Sequence, residues 1–295
     1  GSRRLVAVRE RPNVRHAFDA ARLILANGSI RNELFYAGYV ASREGIFDDK
    51  WINKETRFWG NYFSFASPLK FPKTDLYYFG IERQNAVADD AVGRQVRQSL
   101  GVRFHNEGSF SYDIEGVYQF GTFNAKRIKA WTASANLNRA FKKLKHEPEI
   151  GLKMDYISGD RLANDNRINT FDALFPNGSY FGLGSFVGPA NLIDLHPSFR
   201  YHFSKIITAN IDYDIFWRAS TDDGIYGPNA MLSISGKNID NRFVGHQLGF
   251  DFNIDPNRFV HMQVDGIYFK AGSYLKNATA GKDLLFFAFT STLKF

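Results

Sequence analysis

Apolar and polar residues alternate one by one along much of the chain. Between Tyr112 and Gly121, most residues of one parity are apolar or aromatic, while the other parity includes Asp113 and Glu115. The segment 207–218 repeats this pattern. Because successive side chains of a β-strand point to opposite faces, a period of two predicts strands with one apolar and one polar face. A soluble sandwich shows the same alternation, so strand length and connections must decide between the two.

The strand lengths and connections favour a membrane barrel. We expect about 14 strands of roughly 7 to 15 residues, near the length that crosses a bilayer when tilted. Short turns are predicted at Asn27-Gly28, around Pro68, at Asn106-Glu107-Gly108, around His146, at Ser204-Lys205 and at Asp255-Pro256-Asn257. Long connections are predicted at 43–55, 84–93, 159–190, 220–241 and 271–282. Strict alternation of short and long connections is typical of outer-membrane barrels, with periplasmic turns and extracellular loops.

We therefore predict an all-β fold, a transmembrane antiparallel up-and-down β-barrel, with a single domain over residues 1–295. The last strand fits this fold, because Leu285, Phe287 and Phe289 share one face and the terminal Phe295 resembles an outer-membrane insertion signal.

Composition narrows the class of protein. The chain has 29 Phe and 14 Tyr, which favour strands, and no Cys, which excludes disulfides and thiolate chemistry. It has no run of about 20 apolar residues, so strands must provide any membrane crossing. The net charge of +7 comes from scattered basic residues without a nucleic-acid motif. We therefore expect no nucleic-acid partner.

Several short blocks along the chain look like those of one known family. They are Arg3-Arg4-Leu5, Pro12-Asn13-Val14-Arg15, Tyr118-Gln119-Phe120-Gly121, Ser158-Gly159-Asp160, Phe171-Asp172-Ala173-Leu174-Phe175-Pro176, Tyr180-Phe181-Gly182, Asn191-Leu192-Ile193-Asp194-Leu195, Asp222-Asp223-Gly224-Ile225-Tyr226, Val244-Gly245-His246-Gln247 and Phe269-Lys270-Ala271-Gly272. In this order they resemble the alginate-export family of bacterial outer-membrane porins. The resemblance implies a barrel of 18 strands and a chain that begins partway through the family pattern, as a fragment lacking about four N-terminal strands. A smaller closed barrel is the alternative.

The resemblance also implies a function. We expect passive diffusion of a polar, anionic oligo- or polysaccharide such as alginate across the bacterial outer membrane, with no catalysis and no cofactor. The expected partners are outer-membrane lipid and an anionic or neutral saccharide, and a periplasmic export machinery stays open as a partner. The alternatives are a general porin, a porin for another substrate, an outer-membrane hydrolase that uses His246 with Ser220 and Asp222, and a binding or structural barrel that its loops close.

The parity opposite the apolar face predicts which polar side chains line the pore. They are Arg97, Arg103, Asp113, Glu115, Gln119, Lys153, Arg200, Asp212, Asp214 and Arg218. Their mixed charge differs from the arginine-rich constriction that the resemblance implies. Such residues can form cross-strand charge ladders or set the selectivity of a pore, and both interpretations stay open. We expect Arg97, Arg103 and Arg200 to contact an anionic solute.

The long connection 159–190 and the possible metal ligands of the chain give two further expectations. The long connection 159–190 is expected to fold inward, so that Phe171, Phe175, Tyr180 and Phe181 pack against the wall or stack on sugar rings. We expect no metal site, because the His residues show no zinc-ligand spacing. Oxygen-bearing residues of 160–166 offer ligands for calcium, but a solvated acidic loop is the favoured interpretation.

Overall fold

The computed structural model describes residues 1–8, 16–40, 45, 55–66, 72–88, 91–162 and 165–295. Five sequence expectations lie partly or wholly outside the described residues: the block Pro12-Asn13-Val14-Arg15, the turn around Pro68, most of the connection 43–55, residues 89–90 of the connection 84–93, and Asn164 of the acidic loop. Within the described residues, no helix is long and apolar enough to cross a bilayer.

One antiparallel sheet contains most of the chain. Its strands are β1 (Ala17–Asn27), β2 (Ile30–Val40), β3 (Thr56–Phe65), β4 (Lys73–Ala88), β5 (Ala91–Asn106), β6 (Phe110–Phe123), β7 (Lys126–Ala140), β8 (Glu149–Ile157), β9 (Arg167–Ile168), β10 (Leu192–His202), β11 (Ile207–Arg218), β14 (Phe243–Asn257), β15 (Val260–Ala271) and β16 (Leu284–Leu293). β12 (Ile225–Tyr226) and β13 (Leu232–Ile234) form a separate hairpin, and the helix α1 (Ser273–Ala278) precedes β16.

The strands of this 14-stranded sheet follow one another in chain order, except that β9 pairs only with β7 and is parallel to it. Among the described residues, β1 and β16 are the two edges of the sheet. This order confirms the predicted all-β, antiparallel, up-and-down architecture. It follows from short hairpin turns, which can only join antiparallel neighbours.

The predicted connections agree with the structure in most places. The short turns after Asn27, after Asn106, around His146 and at Ser204-Lys205 join consecutive strands, and the connections 159–190, 220–241 and 271–282 are long. The turn predicted at Asp255-Pro256-Asn257 lies slightly later, because β14 continues through a register shift to Asn257.

Strict alternation of short and long connections was wrong at two hairpins. Strands β4 and β5 continue through most of the predicted long connection 84–93, with a register shift between Arg83 and Ala86. The β6–β7 connection is also a tight turn, in which Asn124 adopts a left-handed φ of 50°. The Asn124 side chain accepts a hydrogen bond from the Arg94 backbone N–H at 2.9 Å and donates one to the Val92 carbonyl at 2.5 Å. These bonds hold the two hairpins side by side without a long loop.

The two faces of the sheet differ in chemistry as the alternation predicts. One face exposes a broad apolar and aromatic surface, as the lipid side of a barrel requires. Its members include Leu100, Phe104, Ile114, Tyr118, Ile211, Leu248, Phe250, Tyr268, Phe287 and Phe289. The opposite face carries buried polar and charged side chains, and we call it the lumen face.

The connection 159–190 folds onto the lumen face, as expected. Phe171, Phe175 and Phe181 are buried in the main apolar cluster. The Phe175 ring lies 5.2 Å from that of Phe58 on β3, whereas the Phe181 ring lies 5.7 Å from that of Phe216 on β11. Because one loop contacts strands this far apart in the sheet, the sheet curves around it. Packing against the wall is therefore the role of these three phenylalanines.

Residues 1–8 also lie against the lumen face, which the sequence did not indicate. Val6 forms a parallel bridge with Phe175, and the Ala7 N–H donates to the Phe175 carbonyl at 2.9 Å. Leu5 is buried in the same apolar cluster as the loop. The segment and the loop thus fill part of the lumen together.

Candidate functional site

A network of arginines and carboxylates crosses strands β4 to β6. Arg103 donates to both carboxylate oxygens of Asp113, at 2.9 and 2.8 Å, and to Asp75 at 3.0 Å. Arg4 donates to Asp113 at 2.9 Å and to Glu115 at 3.1 Å. The strand register produces this arrangement, because Asp75 and Glu115 both stand opposite Arg103 on its two neighbouring strands. Arg103, Asp113 and Glu115 thus form a cross-strand charge ladder.

Arg97 and Gln119 hold the inward loop. Arg97 is almost completely buried, and it donates to the Gln119 side-chain oxygen at 2.7 Å and to the Thr170 carbonyl at 3.0 Å. Gln119 donates to the Asp172 carbonyl at 2.7 Å and accepts from the Asp172 N–H at 3.0 Å. Asp172 is also ion-paired with Arg83. Burial favours the neutral carboxyl, but the two arginines hold the pKa of Asp172 below its usual value.

Arg218 holds the connection 220–241 in the same way. It is fully buried, and it donates to the backbone carbonyls of Thr221 at 3.0 Å, Asp223 at 2.9 Å and Asn241 at 3.0 Å. Its guanidinium lies 4.1 Å from the centre of the Tyr274 ring. The side chain thus binds loop backbone on the lumen side of the sheet.

Asp223 joins the two inward connections to each other. Its carboxylate accepts hydrogen bonds from the Asp160 N–H at 2.8 Å, the Thr170 hydroxyl at 2.5 Å and the Tyr226 hydroxyl at 2.9 Å. Burial raises the pKa of Asp223 to about 6, although these hydrogen bonds oppose the shift. The contact between the loops therefore contains a carboxyl group that titrates in a mildly acidic range.

A second charged cluster lies across β8, β10 and β11. Lys153 donates to the Tyr180 carbonyl at 2.9 Å and lies 3.7 Å from Asp194. His196 lies between Asp212, at 3.7 Å, and Asp214, with which it is in direct contact. The structure thus brings together the predicted residues Lys153, Asp212 and Asp214. It adds Asp194 and His196, which sequence reasoning did not single out.

Tyr180 connects the two charged clusters. Its hydroxyl accepts from Arg4 at 3.0 Å and donates to Asp155 at 3.0 Å. Burial raises the pKa of Tyr180 well above its usual value, which keeps the hydroxyl protonated and able to donate. Unlike the three loop phenylalanines, Tyr180 has a polar role. Arg200, the remaining predicted residue, lies apart near the β10–β11 turn, half exposed and 3.8 Å from Glu149.

Strands β1 to β4 carry a groove that sequence reasoning missed. We define the aromatic–arginine groove as a cavity of about 440 Å³ whose lining includes Arg22, Arg31, Glu33, Tyr62, Tyr77 and Phe79. The rings of Tyr62 and Tyr77 are stacked, with centroids 5.5 Å apart, and Phe79 continues the stack 4.9 Å from Tyr77.

The groove has an excess of positive charge. Arg22 and Arg31 both bind Glu33, at 3.0 and 2.5 Å, so two guanidinium groups share one carboxylate. About half of each arginine side chain is exposed to solvent, with relative values of 53% and 49%. The alternation of β1 and β2 could have indicated these arginines as pore residues. However, Arg22 lies in an apolar stretch, so the sequence does not show which face of β1 points to the lumen.

The residues of the hydrolase alternative do not come together. His246 bonds with the Tyr213 hydroxyl at 2.7 Å on the face opposite the lumen. Ser220 instead bonds with Asn191 through its backbone, and Asp222 donates its N–H to the Ser220 hydroxyl. Among these described residues no Ser-His-Asp arrangement is formed.

In the acidic loop, the carboxylates of Asp160 and Asp165 accept hydrogen bonds from the backbone N–H groups of residues 161, 167 and 169.

Comparison with known proteins adds a family and a fold. The sequence model described as alginate export matches residues 1–283. The crystal structure of Pseudomonas aeruginosa OccK11 (OpdR) is similar, with a TM-score of 0.59 and 12% identity, over 99% of this chain and 74% of that chain. The structure of the NanC porin gives a TM-score of 0.37 and 7% identity, over 82% of this chain and 94% of that chain. No curated protein sequence matches. At 12% identity, the likeness to OccK11 shows the fold alone.

Proposed function

Because this chain belongs to the alginate export family, we propose that it lets an acidic oligo- or polysaccharide such as alginate diffuse passively through its lumen. The protein is a porin of the bacterial outer membrane. Our proposal concerns the identity of the solute, and the chemistry of the lumen face supports it.

The aromatic–arginine groove is the observation that supports a polyuronate most strongly. A pyranose ring has an apolar face that packs on aromatic rings such as Tyr62 and Tyr77. A uronate adds a carboxylate on each sugar, and a guanidinium group binds carboxylates by paired hydrogen bonds. Since Arg22 and Arg31 share a single carboxylate, they retain capacity for an incoming anion. Stacked rings beside an excess of guanidinium groups fit an acidic saccharide better than a neutral one.

The predicted pore-lining residues have different parts in this proposal. The ladder of Arg103, Asp113 and Glu115 sets the local field next to the groove. Arg97, Gln119 and Arg218 act indirectly, because they hold the inward loops that narrow the lumen. Arg200 is a further half-exposed cation at the turn side. Lys153, Asp212 and Asp214 form a separate, acidic region. Conduction needs binding strong enough for entry and weak enough for exit, which several weak sites provide.

The experiment is single-channel recording in a planar bilayer with the purified protein. We expect oligomannuronate to interrupt the current at lower concentration than a neutral glucose oligomer of the same length. The double variant Arg22→Gln/Arg31→Gln should weaken this block about tenfold or more, since even one lost hydrogen bond to a charged group costs roughly 1.5–3 kcal/mol. Arg94→Gln is the matched control, because Arg94 is also exposed and ion-paired but faces away from the lumen.

The same recording separates the proposal from its alternatives. An open pore that neither saccharide blocks would indicate a general porin. An open pore blocked equally by the neutral oligomer would indicate a porin for neutral saccharides. Either outcome would remove the polyuronate and leave the family and the fold intact.

A further inference from the structure

We propose that Asp194, His196 and Asp214 form a binding site for one divalent transition-metal cation, such as Zn²⁺, on the lumen face. Within the described part of the chain, one ligand atom from each of these side chains lies within 4.8 Å of the others. An imidazole nitrogen with two carboxylate oxygens is a donor set that suits Zn²⁺, whereas Ca²⁺ and Mg²⁺ prefer oxygen ligands alone.

The register of two strands creates this arrangement. Asp194 and His196 are two residues apart on β10, so their side chains share a face. On β11, the partners of Leu195 and Ser198 are Ile215 and Asp212, which places Asp214 beside His196. Three ligands on two neighbouring strands leave the side toward the lumen open for a water molecule as a further ligand. His196 is partly exposed, with 17% of its side chain accessible, and gives a route of entry.

The carboxylate of Asp194 is the strongest sign that a cation is needed. Its side chain is completely buried, and neither oxygen has a hydrogen-bond partner among the described residues. Lys153 forms an ion pair with Asp194 at 3.7 Å, which is beyond hydrogen-bond distance, and its ammonium group donates to the Tyr180 carbonyl at 2.9 Å. Buried polar atoms almost always have hydrogen bonds, and a buried carboxylate that accepts none is costly even beside an ammonium group. A bound cation would satisfy both oxygens.

One carboxylate oxygen of Asp214 also faces the proposed metal position. Its Oδ2 accepts from Gln247 at 2.5 Å, which fixes the carboxylate. Its Oδ1 contacts His196 Nδ1 without the geometry of a hydrogen bond. A bound metal ion would separate these two atoms and take the place of the proton that an ion pair between them requires. Gln247 would then orient the ligand, as partners of metal-bound carboxylates commonly do.

The charge balance of the region favours a cation. Asp155, Asp212 and Asp251 lie near the proposed ligands, so five carboxylates stand against the Lys153 ammonium, the His196 imidazole and the Arg4 guanidinium. The ammonium group of Lys153 is held by the Tyr180 carbonyl and lies 4.6 Å from the centre of the Tyr180 ring. It can therefore stay in place when a metal ion binds to Asp194.

The test is calorimetric titration of ZnCl₂ into the purified, chelator-treated protein. We expect one saturable site per chain. His196→Ala and Asp194→Asn should each weaken the affinity for Zn²⁺ by about tenfold or more. Loss of a residue that only orients a metal ligand already has an effect of roughly this size, and loss of a ligand should have at least as large an effect. His261→Ala is the matched control, because His261 also pairs with a carboxylate, Asp255, but lies away from the cluster. It should bind Zn²⁺ as the parent does.

X-ray absorption at the zinc edge of the unmodified protein gives a second answer that does not depend on variant folding. We expect one imidazole nitrogen and oxygen ligands at about 2.0–2.2 Å. A titration without saturable binding, binding that His196→Ala leaves unchanged, or a zinc shell without imidazole would overturn the site. None of these measurements involves saccharide transport, so the failure of this proposal and the failure of the proposed function are distinguishable.

Discussion

Arg97 on β5 and Asp172 of the inward loop lie 3.8 Å apart, from Nε to Oδ2, in a buried region of the lumen face. The contact joins the wall to the loop that fills part of the pore. The sequence predicted that Arg97 lines the pore, but its guanidinium group contacts the backbone and a carboxylate of the loop instead of facing the open lumen. Arg97 therefore anchors the loop.

Replacement of Arg97 should loosen the inward loop. Arg97→Gln removes a charged hydrogen bond to the Thr170 carbonyl and one of the two cations beside Asp172. We expect a larger and noisier single-channel conductance, and a loss of about 2 kcal/mol in the free energy of unfolding. Arg94→Gln, on the face away from the lumen and without contact to the loop 159–190, should change neither quantity. A quiet pore of parental conductance in Arg97→Gln would contradict the anchoring role.

The Asp223 carboxyl should make stability depend on pH. Its folded pKa is about 6, against an ordinary value of 3.8, so folding favours the protonated form. The associated penalty is absent below the unfolded pKa, grows as pH rises through this window and is complete above about 6. We expect the free energy of unfolding to fall by up to about 3 kcal/mol over this range. Urea unfolding followed by tryptophan fluorescence at pH 4 to 7 measures it.

The control for this pH dependence is the neighbouring residue. Asp223→Asn should flatten the pH profile, because the titrating group is gone, whereas Asp222→Asn should keep the parental slope. The slope, and not the absolute stability, is the quantity to compare, since the amide of Asp223→Asn cannot accept all the hydrogen bonds of the carboxylate. Equal slopes in parent and Asp223→Asn would show that another group is responsible.

Removal of the Arg103 charge should change ion selectivity. Arg103 neutralises Asp75 and Asp113, so Arg103→Gln leaves both carboxylates with less compensation in the lumen. We expect the reversal potential in a salt gradient to move toward cation selectivity. Arg127→Gln, on the opposite face of β7, removes the same charge from the protein without this effect. An unchanged reversal potential in Arg103→Gln would contradict a role of the ladder in the pore field.

The aromatic stack of the groove depends on a residue without a side chain. The Tyr77 ring lies over Gly101 so closely that a Cβ there would come within 2.0 Å of the ring. Gly101→Ala should displace Tyr77, cost about 1–3 kcal/mol of stability and weaken the block by oligomannuronate. Gly116→Ala, on the next strand, is the control, because a Cβ there has no atom within 4 Å. Retention of full block by a folded Gly101→Ala would exclude Tyr77 from saccharide binding.

The repeating parts of the fold could be predicted from the sequence. Alternation over segments such as Tyr112–Gly121 predicts the strands and their two faces, because its period is a local property of the backbone. The tight turn at Asn124 was missed because its stability is not local: it comes from hydrogen bonds to Val92 and Arg94 of a neighbouring hairpin, which no short sequence window contains.

The candidate site was less predictable because it depends on register and on loops. Alternation identifies Arg97 and Arg218 as residues of the lumen face, but it cannot show that loop carbonyls cover them. It also cannot show that Asp214 stands beside His196, since one belongs to β11 and the other to β10. Spacing rules for metal ligands count along the chain, and these ligands meet across two strands.

Entry of a polyuronate into sealed vesicles tests the central claim most directly, because a solute can block a pore without passing through it. Proteoliposomes containing the purified protein would be mixed with labelled oligomannuronate and with a neutral glucose oligomer of equal length, and the contents separated after defined times. We expect the uronate to enter faster than the neutral oligomer, and Arg22→Gln/Arg31→Gln to remove this preference while Arg94→Gln retains it. Faster or equal entry of the neutral oligomer, or a uronate that stays outside while salt passes, would show that the lumen does not select a polyuronate.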